Sequence, residues 1–140
     1  MIINMENKIK HLEMMQGVIN RMAGNSFLLK GWSVVLVSAL FALSAKETNI
    51  FFIYLAFFPA LSFWELDGYF LWQERLYRKL YDKVRKMNES EIDFSMDTST
   101  VNKEVKPWMC VTFSKTLRIF HGTIVGAIII VMLIKILQRG

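Results

Sequence analysis

Three long apolar segments, separated by polar ones, dominate the pattern of this chain. They run from Ser26 to Ala45, from Ile50 to Trp72 and from Leu117 to Leu137. Each is close to the length of about 20 residues that a helix needs to cross the hydrocarbon core of a bilayer. The pattern therefore predicts three transmembrane helices. The alternative for each segment is a buried helix of a soluble core.

The first two apolar segments are joined by only a short polar stretch, Lys46 to Asn49. A connection of this length permits only a tight turn, so we expect these two segments to form an antiparallel helical hairpin. Apolar residues at heptad spacing continue on both flanks of the hairpin, which is typical of helices that pack on each other within a chain or between subunits. They are Met5, Leu12, Met15, Ile19, Met22 and Leu29 upstream, and Phe70, Tyr77, Leu80, Val84 and Met87 downstream.

These features divide the chain into consecutive parts. We predict an amphipathic cytoplasmic N-terminal helix over residues 1–25, a transmembrane helical hairpin over 26–72 and a basic cytoplasmic helix over 73–88. A polar cytoplasmic linker over 89–116 then leads to a C-terminal transmembrane helix over 117–137. The predicted fold is an all-α membrane protein, a two-helix transmembrane hairpin with cytoplasmic helical extensions plus a third transmembrane helix.

The net charge of +5 is concentrated at the ends of the apolar segments rather than spread over a polar surface. One basic cluster follows the second segment directly: Arg75, Arg78, Lys79, Lys83, Arg85 and Lys86. The positive-inside rule makes this end cytoplasmic, which places the N-terminus inside and the turn outside. We expect the cluster to face anionic lipid or a partner protein. Its aromatic neighbours lie at helix-packing spacings, so nucleic acid is not favoured.

Composition also limits the kinds of chemistry that the chain can perform. Apolar residues make up 54% of the 140 residues, above the usual share of about 45 to 50% in soluble domains. Cys110 is the single cysteine, which excludes an intramolecular disulfide, and His11 and His121 lie far apart. The sequence has no phosphate-binding glycine loop and no nucleophile beside a base. We therefore predict neither an enzyme nor a metal or cofactor site.

Two acids, Glu65 and Asp67, interrupt the second apolar segment. Charged side chains in hydrocarbon cost at least about 2.5 to 3.5 kcal/mol each and are usually paired or functional. Counting outward from the turn places position 30 opposite position 65, so Lys30 is the candidate partner of either acid. Two alternatives remain: an acid facing a water-filled pore in a ring of subunits, or both acids lying at headgroup level.

Small residues recur at helical spacing in the first and third segments. Gly17, Gly24 and Gly31 repeat every seven residues, and Gly122 and Gly126 form a GxxxG pattern. Such patterns allow close approach of helices, so we predict these glycines at helix–helix contacts.

The order of a cytoplasmic helix, a tight hairpin and a basic helix resembles the SLATT-type two-transmembrane effectors of bacteria. The stretches NRMAGNSFLLKGW (Asn20 to Trp32) and LDGYFLWQERLYRKLYDKVR (Leu66 to Arg85) also resemble small bacterial membrane proteins. The likeness covers roughly Met5 to Met96, and the third segment is not part of the two-span pattern. It implies a homo-oligomer that forms pores in the inner membrane of an infected cell, triggered by a separate sensor protein or ligand.

We accordingly expect an oligomeric effector that forms or gates a pore in the bacterial inner membrane, in anti-phage defence. The alternative is a non-conducting membrane anchor or adaptor subunit that holds a cytoplasmic partner protein through the basic helix.

Overall fold

The computed structural model describes residues 2–138, and these residues fold entirely into helices and their connections. The predicted all-α fold is confirmed, and Met1 of the predicted N-terminal helix lies outside the described residues. The elements are α1 (Ile2–Glu47), α2 (Phe51–Lys86), a 3₁₀ helix (Glu89–Glu91), a second 3₁₀ helix (Ser99–Glu104), α3 (Trp108–Thr112) and α4 (Lys115–Leu137).

Both helices of the hairpin run without a break through the predicted domain boundaries. Helix α1 has 46 residues, which corresponds to about 69 Å at 1.5 Å per residue. Helix α2 has 36 residues and remains helical through Pro59 and Gly68. The predicted cytoplasmic helices are therefore continuations of the apolar helices. Heptad-spaced apolar residues allow the two flanks to pack against each other, which stabilises both as helices.

The turn between α1 and α2 is as tight as the sequence predicts. Thr48 adopts a left-handed backbone conformation with φ 53°, which reverses the chain. Ser44 Oγ donates to the carbonyl of Asn49 at 3.0 Å, and the Asn49 side-chain oxygen accepts from the amide of Phe51 at 2.9 Å. The first bond satisfies a carbonyl group of the turn, and the second satisfies an amide group at the start of α2.

Two apolar clusters hold the helices together, one near the turn of the hairpin and one far from it. The cluster near the turn joins all three long helices and contains Val37, Ile53, Ala56, Ala60 and Ile128 as its buried members. The second cluster is distal, meaning at the end of the hairpin away from the turn. It joins α1 and α2 to the linker and contains Met15, Leu80, Val84 and Val101. The heptad-spaced residues thus pack within the chain.

The polar linker is docked on the hairpin rather than detached from it. Val101 of the second 3₁₀ helix is fully buried, and His11 Nε2 lies 2.9 Å from the carbonyl oxygen of Ser95. Lys8 Nζ donates to the carbonyl oxygen of Met87 at 2.8 Å, where α2 ends. The linker therefore ties the distal half of α1 to the end of α2.

Helix α4 runs antiparallel to α2. Its first turns lie beside Asp67, through His121, and Ile128 lies further along in the cluster near the turn, with Ile53 and Ala60. The C-terminal end of α4 therefore points the same way as the turn. This arrangement gives three packed helices along the apolar part of the chain.

By length and apolar composition, two of the described helices are suited to cross a membrane. They are α1, within Asn4–Glu47, and α4, Lys115–Leu137. Only 17% and 11% of their most apolar windows are buried, whereas a core helix of a soluble protein is mostly buried. The predicted second span is not among them, because Glu65 and Asp67 lower the hydropathy of the apolar half of α2.

The five glycines predicted at helix contacts are not closely approached by other described elements of this chain, and their predicted role in contacts between copies stays a prediction. A Cβ atom added at Gly17, Gly24, Gly31, Gly122 or Gly126 would meet no atom within 4 Å. These positions lie on faces of α1 and α4 that no neighbouring element covers closely. The one close approach is at Gly68, where an added Cβ would lie 2.8 Å from Cβ and 2.9 Å from Cα of Thr112 in α3.

Candidate functional site

The candidate site is a buried polar cluster around Asp67, in the middle of α2. Asp67 and His121 are both fully buried, and the Lys30 side chain is 22% exposed. Ser26 and Lys30 come from successive turns of α1, and His121 comes from the second turn of α4. The cluster therefore connects all three long helices through one carboxylate.

The Asp67 carboxylate accepts a hydrogen bond from each of its three partners. Ser26 Oγ donates to Oδ1, while Lys30 Nζ and His121 Nε2 both reach Oδ2, at 2.5 Å and 2.7 Å. Lys30 Nζ also lies 2.8 Å from Ser26 Oγ and 5.9 Å from the centre of the Phe120 ring. A buried carboxylate is tolerated only when it is paired and hydrogen-bonded in this way.

The geometry also assigns the proton on His121. A carboxylate only accepts hydrogen bonds, so Nε2 must donate to Asp67. Nδ1 is buried and has no hydrogen-bond partner within residues 2–138. The geometry therefore places a proton on Nε2 of His121, which donates it to the Asp67 carboxylate.

Aromatic and backbone contacts fix the orientation of the cluster. The Trp64 ring stacks on His121 with ring centroids 5.9 Å apart and an interplanar angle of 11°. Trp64 Nε1 donates to the carbonyl oxygen of Thr112 at 2.8 Å, and Gly68 permits Thr112 to approach α2 closely. Helix α3 therefore holds Trp64, and Trp64 covers His121.

Although serine, histidine and aspartate meet here, their order does not resemble that of a hydrolase. In a catalytic triad, histidine lies between the other two and takes the proton of serine. Here Asp67 lies between Ser26 and His121, and Ser26 donates to Asp67 instead. No hydrogen bond between Ser26 and His121 is present in the described residues, and the cluster neutralises the Asp67 charge and joins three helices.

Glu65 is placed differently from Asp67, and the structure does not bring it to Lys30. Its side chain is exposed, and it makes no salt bridge with any described residue. It lies beside an apolar cleft of about 190 Å³, lined by Leu61, Trp64, Glu65, Met109, Thr112 and Phe113. Glu65 is thus an unpaired acid on an otherwise apolar surface.

The basic residues of the predicted lipid or partner face follow the distal half of α2. Arg78 pairs with Glu74 at 2.7 Å, and Arg85 lies 3.4 Å from Asp82. Arg75, Arg78 and Lys79 line a cleft against the linker, whereas Lys83, Arg85 and Lys86 lie beyond it. In the described part of the chain, no group of three or more His, Cys, Asp or Glu residues is arranged to hold a metal ion.

Sequence reasoning found Lys30 and Asp67 but missed Ser26 and His121. Counting from the turn placed Lys30 opposite Glu65, two residues from its partner in the structure. His121 was missed because the long linker hides which face of α4 meets the hairpin. The signal available in the sequence was a histidine one turn inside an apolar segment, a position where a polar ring needs a partner.

Comparison with known proteins identifies no relative of this chain. No family model, no curated protein and no solved structure matches the chain. The cluster and the surfaces around it are therefore interpreted from their own geometry.

Proposed function

We propose that this chain is a multi-pass protein of the bacterial inner membrane whose copies assemble into an oligomer that forms or gates a pore. The resemblance to SLATT-type effectors suggests anti-phage defence as the setting, with a separate sensor protein or ligand as the trigger. In this proposal the N-terminus, the distal half of the hairpin and the linker are cytoplasmic, and α1, the apolar half of α2 and α4 cross the bilayer.

The exposed apolar surface supports the membrane location. Large apolar side chains are exposed along the apolar part of all three long helices. They include Phe27, Trp32 and Val35 of α1, Phe51, Phe58 and Leu61 of α2, and Ile119, Ile130 and Leu137 of α4. A soluble monomer rarely exposes so continuous an apolar surface, whereas lipid covers it at no cost.

The position and exposure of Glu65 are the main support for the proposed pore. It lies 14 residues after Phe51, which corresponds to about 21 Å along α2 from the turn, inside a hydrocarbon core about 30 Å thick. Asp67 is neutralised within the chain, but Glu65 is not. An unpaired acid at this depth must face water or another subunit, and a ring of such acids favours cations.

Oligomerisation follows from the number of helices. Three helices packed around shared apolar clusters leave no space for an aqueous channel, so several copies are needed to enclose one. At the glycines Gly17, Gly24, Gly31, Gly122 and Gly126, an added Cβ would meet no atom within 4 Å, so these positions have room for a helix of a neighbouring copy.

The test compares membrane potential and conductance in matched variants. Strong expression of the wild-type chain should collapse the membrane potential read by a potential-sensitive dye. Purified protein in planar bilayers should conduct cations in preference to anions. Glu65→Gln should lower this cation preference several-fold, whereas Glu13→Gln, the same change on the exposed cytoplasmic part of α1, should leave it unaltered.

The adaptor function is the alternative, favoured by the unpaired basic residues on the distal half of α2. An intact membrane potential during strong expression and during phage infection, with no conductance in bilayers, would reject the pore and support the adaptor.

A further inference from the structure

A cleft separates the distal half of α2 from the chain that links the second 3₁₀ helix to α3. It has a volume of about 320 Å³ and is lined by Arg75, Arg78, Lys79, Asp82, Glu104, Val105 and Lys106. This volume is at the lower end of the range of about 300 to 1,000 Å³ that is usual for small-molecule sites. The cleft is large enough for a phosphate group with a small substituent.

The cleft carries an excess of positive charge. Four of its lining side chains are cationic and two are acidic. One of the two acids, Asp82, is engaged by Arg85 outside the cleft. Of the cations, Arg78 is paired with Glu74, but Arg75, Lys79 and Lys106 form no salt bridge with any described residue. Three cations without a salt-bridge partner among the described residues therefore line one concave surface, against a single acid without one, Glu104.

The cations are of the types that bind phosphate. Arg75 is a half-buried residue of the cleft lining, and arginine binds phosphate oxygens through two parallel hydrogen bonds. Lys79 lies one turn further along the same face of α2. Lys106 approaches from the linker, so a bound anion would connect the linker to α2.

The position of the cleft indicates where such a phosphate comes from. Tyr69 lies 6.1 Å from Trp72 and 6.2 Å from Trp108, measured between ring centroids. Tyrosine and tryptophan side chains concentrate at the membrane–water interface. Arg75 follows Trp72 by three residues, and Lys106 precedes Trp108 by two. The cleft is thus about one helical turn beyond an interfacial aromatic cluster, at the depth of lipid phosphates.

We infer that this cleft binds the phosphate of an anionic phospholipid headgroup, held by Arg75, Lys79 and Lys106. The assignment to a lipid rests on the proposed membrane location, whereas phosphate binding itself does not depend on the pore. A bound headgroup would fasten the linker against α2 on the cytoplasmic side.

The experiment titrates detergent-solubilised full-length protein with short-chain phosphatidylglycerol, phosphatidylcholine, glycerol phosphate or inorganic phosphate. Binding is read from tryptophan fluorescence, since Trp72 and Trp108 lie next to the cleft, and from the shift in melting temperature. The cleft variant is Lys79→Gln with Lys106→Gln. The control variant is Lys83→Gln with Lys86→Gln, which removes the same charge from exposed positions on α2 outside the cleft.

We expect phosphatidylglycerol to bind wild type and the control variant with similar affinity, and the cleft variant at least about 10-fold more weakly, a loss that a single charge-assisted hydrogen bond is enough to produce. Glycerol phosphate or inorganic phosphate binding as tightly as phosphatidylglycerol, with the same loss in the cleft variant, would keep the phosphate site and assign it a soluble ligand. Equal losses in the two variants, or binding of none of the four compounds, would overturn the inference.

These outcomes are separable from the proposed pore. Binding of phosphatidylglycerol through the cleft without any depolarisation would reject the pore and support the phosphate site. Depolarisation without cleft-dependent binding would support the pore and reject the phosphate site.

Discussion

Asp67 is the residue on which the packing of three helices depends. Its carboxylate accepts hydrogen bonds from Ser26 and Lys30 of α1 and from His121 of α4. No water reaches it, so each partner replaces a hydration bond. A change at this residue therefore affects the hairpin and the third helix together.

We expect Asp67→Asn to lower the free energy of unfolding by about 3 to 5 kcal/mol, because it leaves the Lys30 ammonium without its counter-charge in a largely buried position. Denaturant unfolding of the purified protein in detergent measures this loss. Glu65→Gln is the matched control, and its effect should stay within about 0.5 kcal/mol because Glu65 is exposed and unpaired.

Equal destabilisation by the two substitutions would contradict the assignment of the buried role to Asp67. Partial recovery in a chain with both Lys30→Met and Asp67→Asn is the further expectation, since this pair of substitutions no longer leaves a buried ammonium without its counter-charge.

At the scale of elements, the contact between α2 and α3 positions Trp64, the residue that covers the polar cluster around Asp67. Thr112 lies against the backbone of α2 at Gly68, and its carbonyl oxygen holds the Trp64 indole. Helix α3 is only one turn and a half long, so this contact is its main anchor. Gly68 acts here as a packing position, because only glycine leaves room for Thr112 at this point of α2.

Gly68→Ala should destabilise the fold by about 1 to 3 kcal/mol, because the added methyl group overlaps both Cβ and Cα of Thr112. Gly17→Ala is the control: its Cβ meets nothing, so the better helix propensity of alanine should stabilise α1 by up to about 1 kcal/mol. Thermal unfolding in detergent, followed by circular dichroism, separates the two. A stabilising Gly68→Ala would show that α3 does not pack on α2 as described.

The elements themselves were largely predictable, and the contacts between distant ones were not. Apolar periodicity and the short connection at Lys46 to Asn49 were sufficient for the hairpin, because both are local signals. The docking of the linker depends on Val101 and His11, which are separated by many residues and lie in segments of ordinary polar composition. The glycine pattern did not show that the five positions are open within one copy, because spacing alone does not show whether another helix lies opposite.

At the scale of the whole molecule, the charge distribution predicts one orientation in the membrane. The distal half of α2 carries the basic cluster, and the turn at the other end carries only Lys46 and Glu47. The distal half should therefore remain in the cytoplasm.

Cysteine labelling tests this orientation. Cys110 is exposed, so Cys110→Ser provides a background without thiols, into which Lys46→Cys or Lys86→Cys is introduced. In intact cells that express the protein at a level without effect on growth, a membrane-impermeant maleimide should label Lys46→Cys. It should label Lys86→Cys only after the inner membrane is opened. The same labelling of both positions in intact cells would exclude the proposed orientation.

The spacing of the Asp67 cluster along the chain has a consequence for biosynthesis. Ser26, Lys30 and Asp67 all leave the ribosome before residue 68, whereas His121 is separated from Asp67 by 54 positions. In the proposed membrane location, the hairpin can therefore enter the bilayer with Asp67 already neutralised by Lys30, while α4 is still being translated. His121 is the last group to join the cluster, so docking of the third helix completes an arrangement whose charges are already balanced.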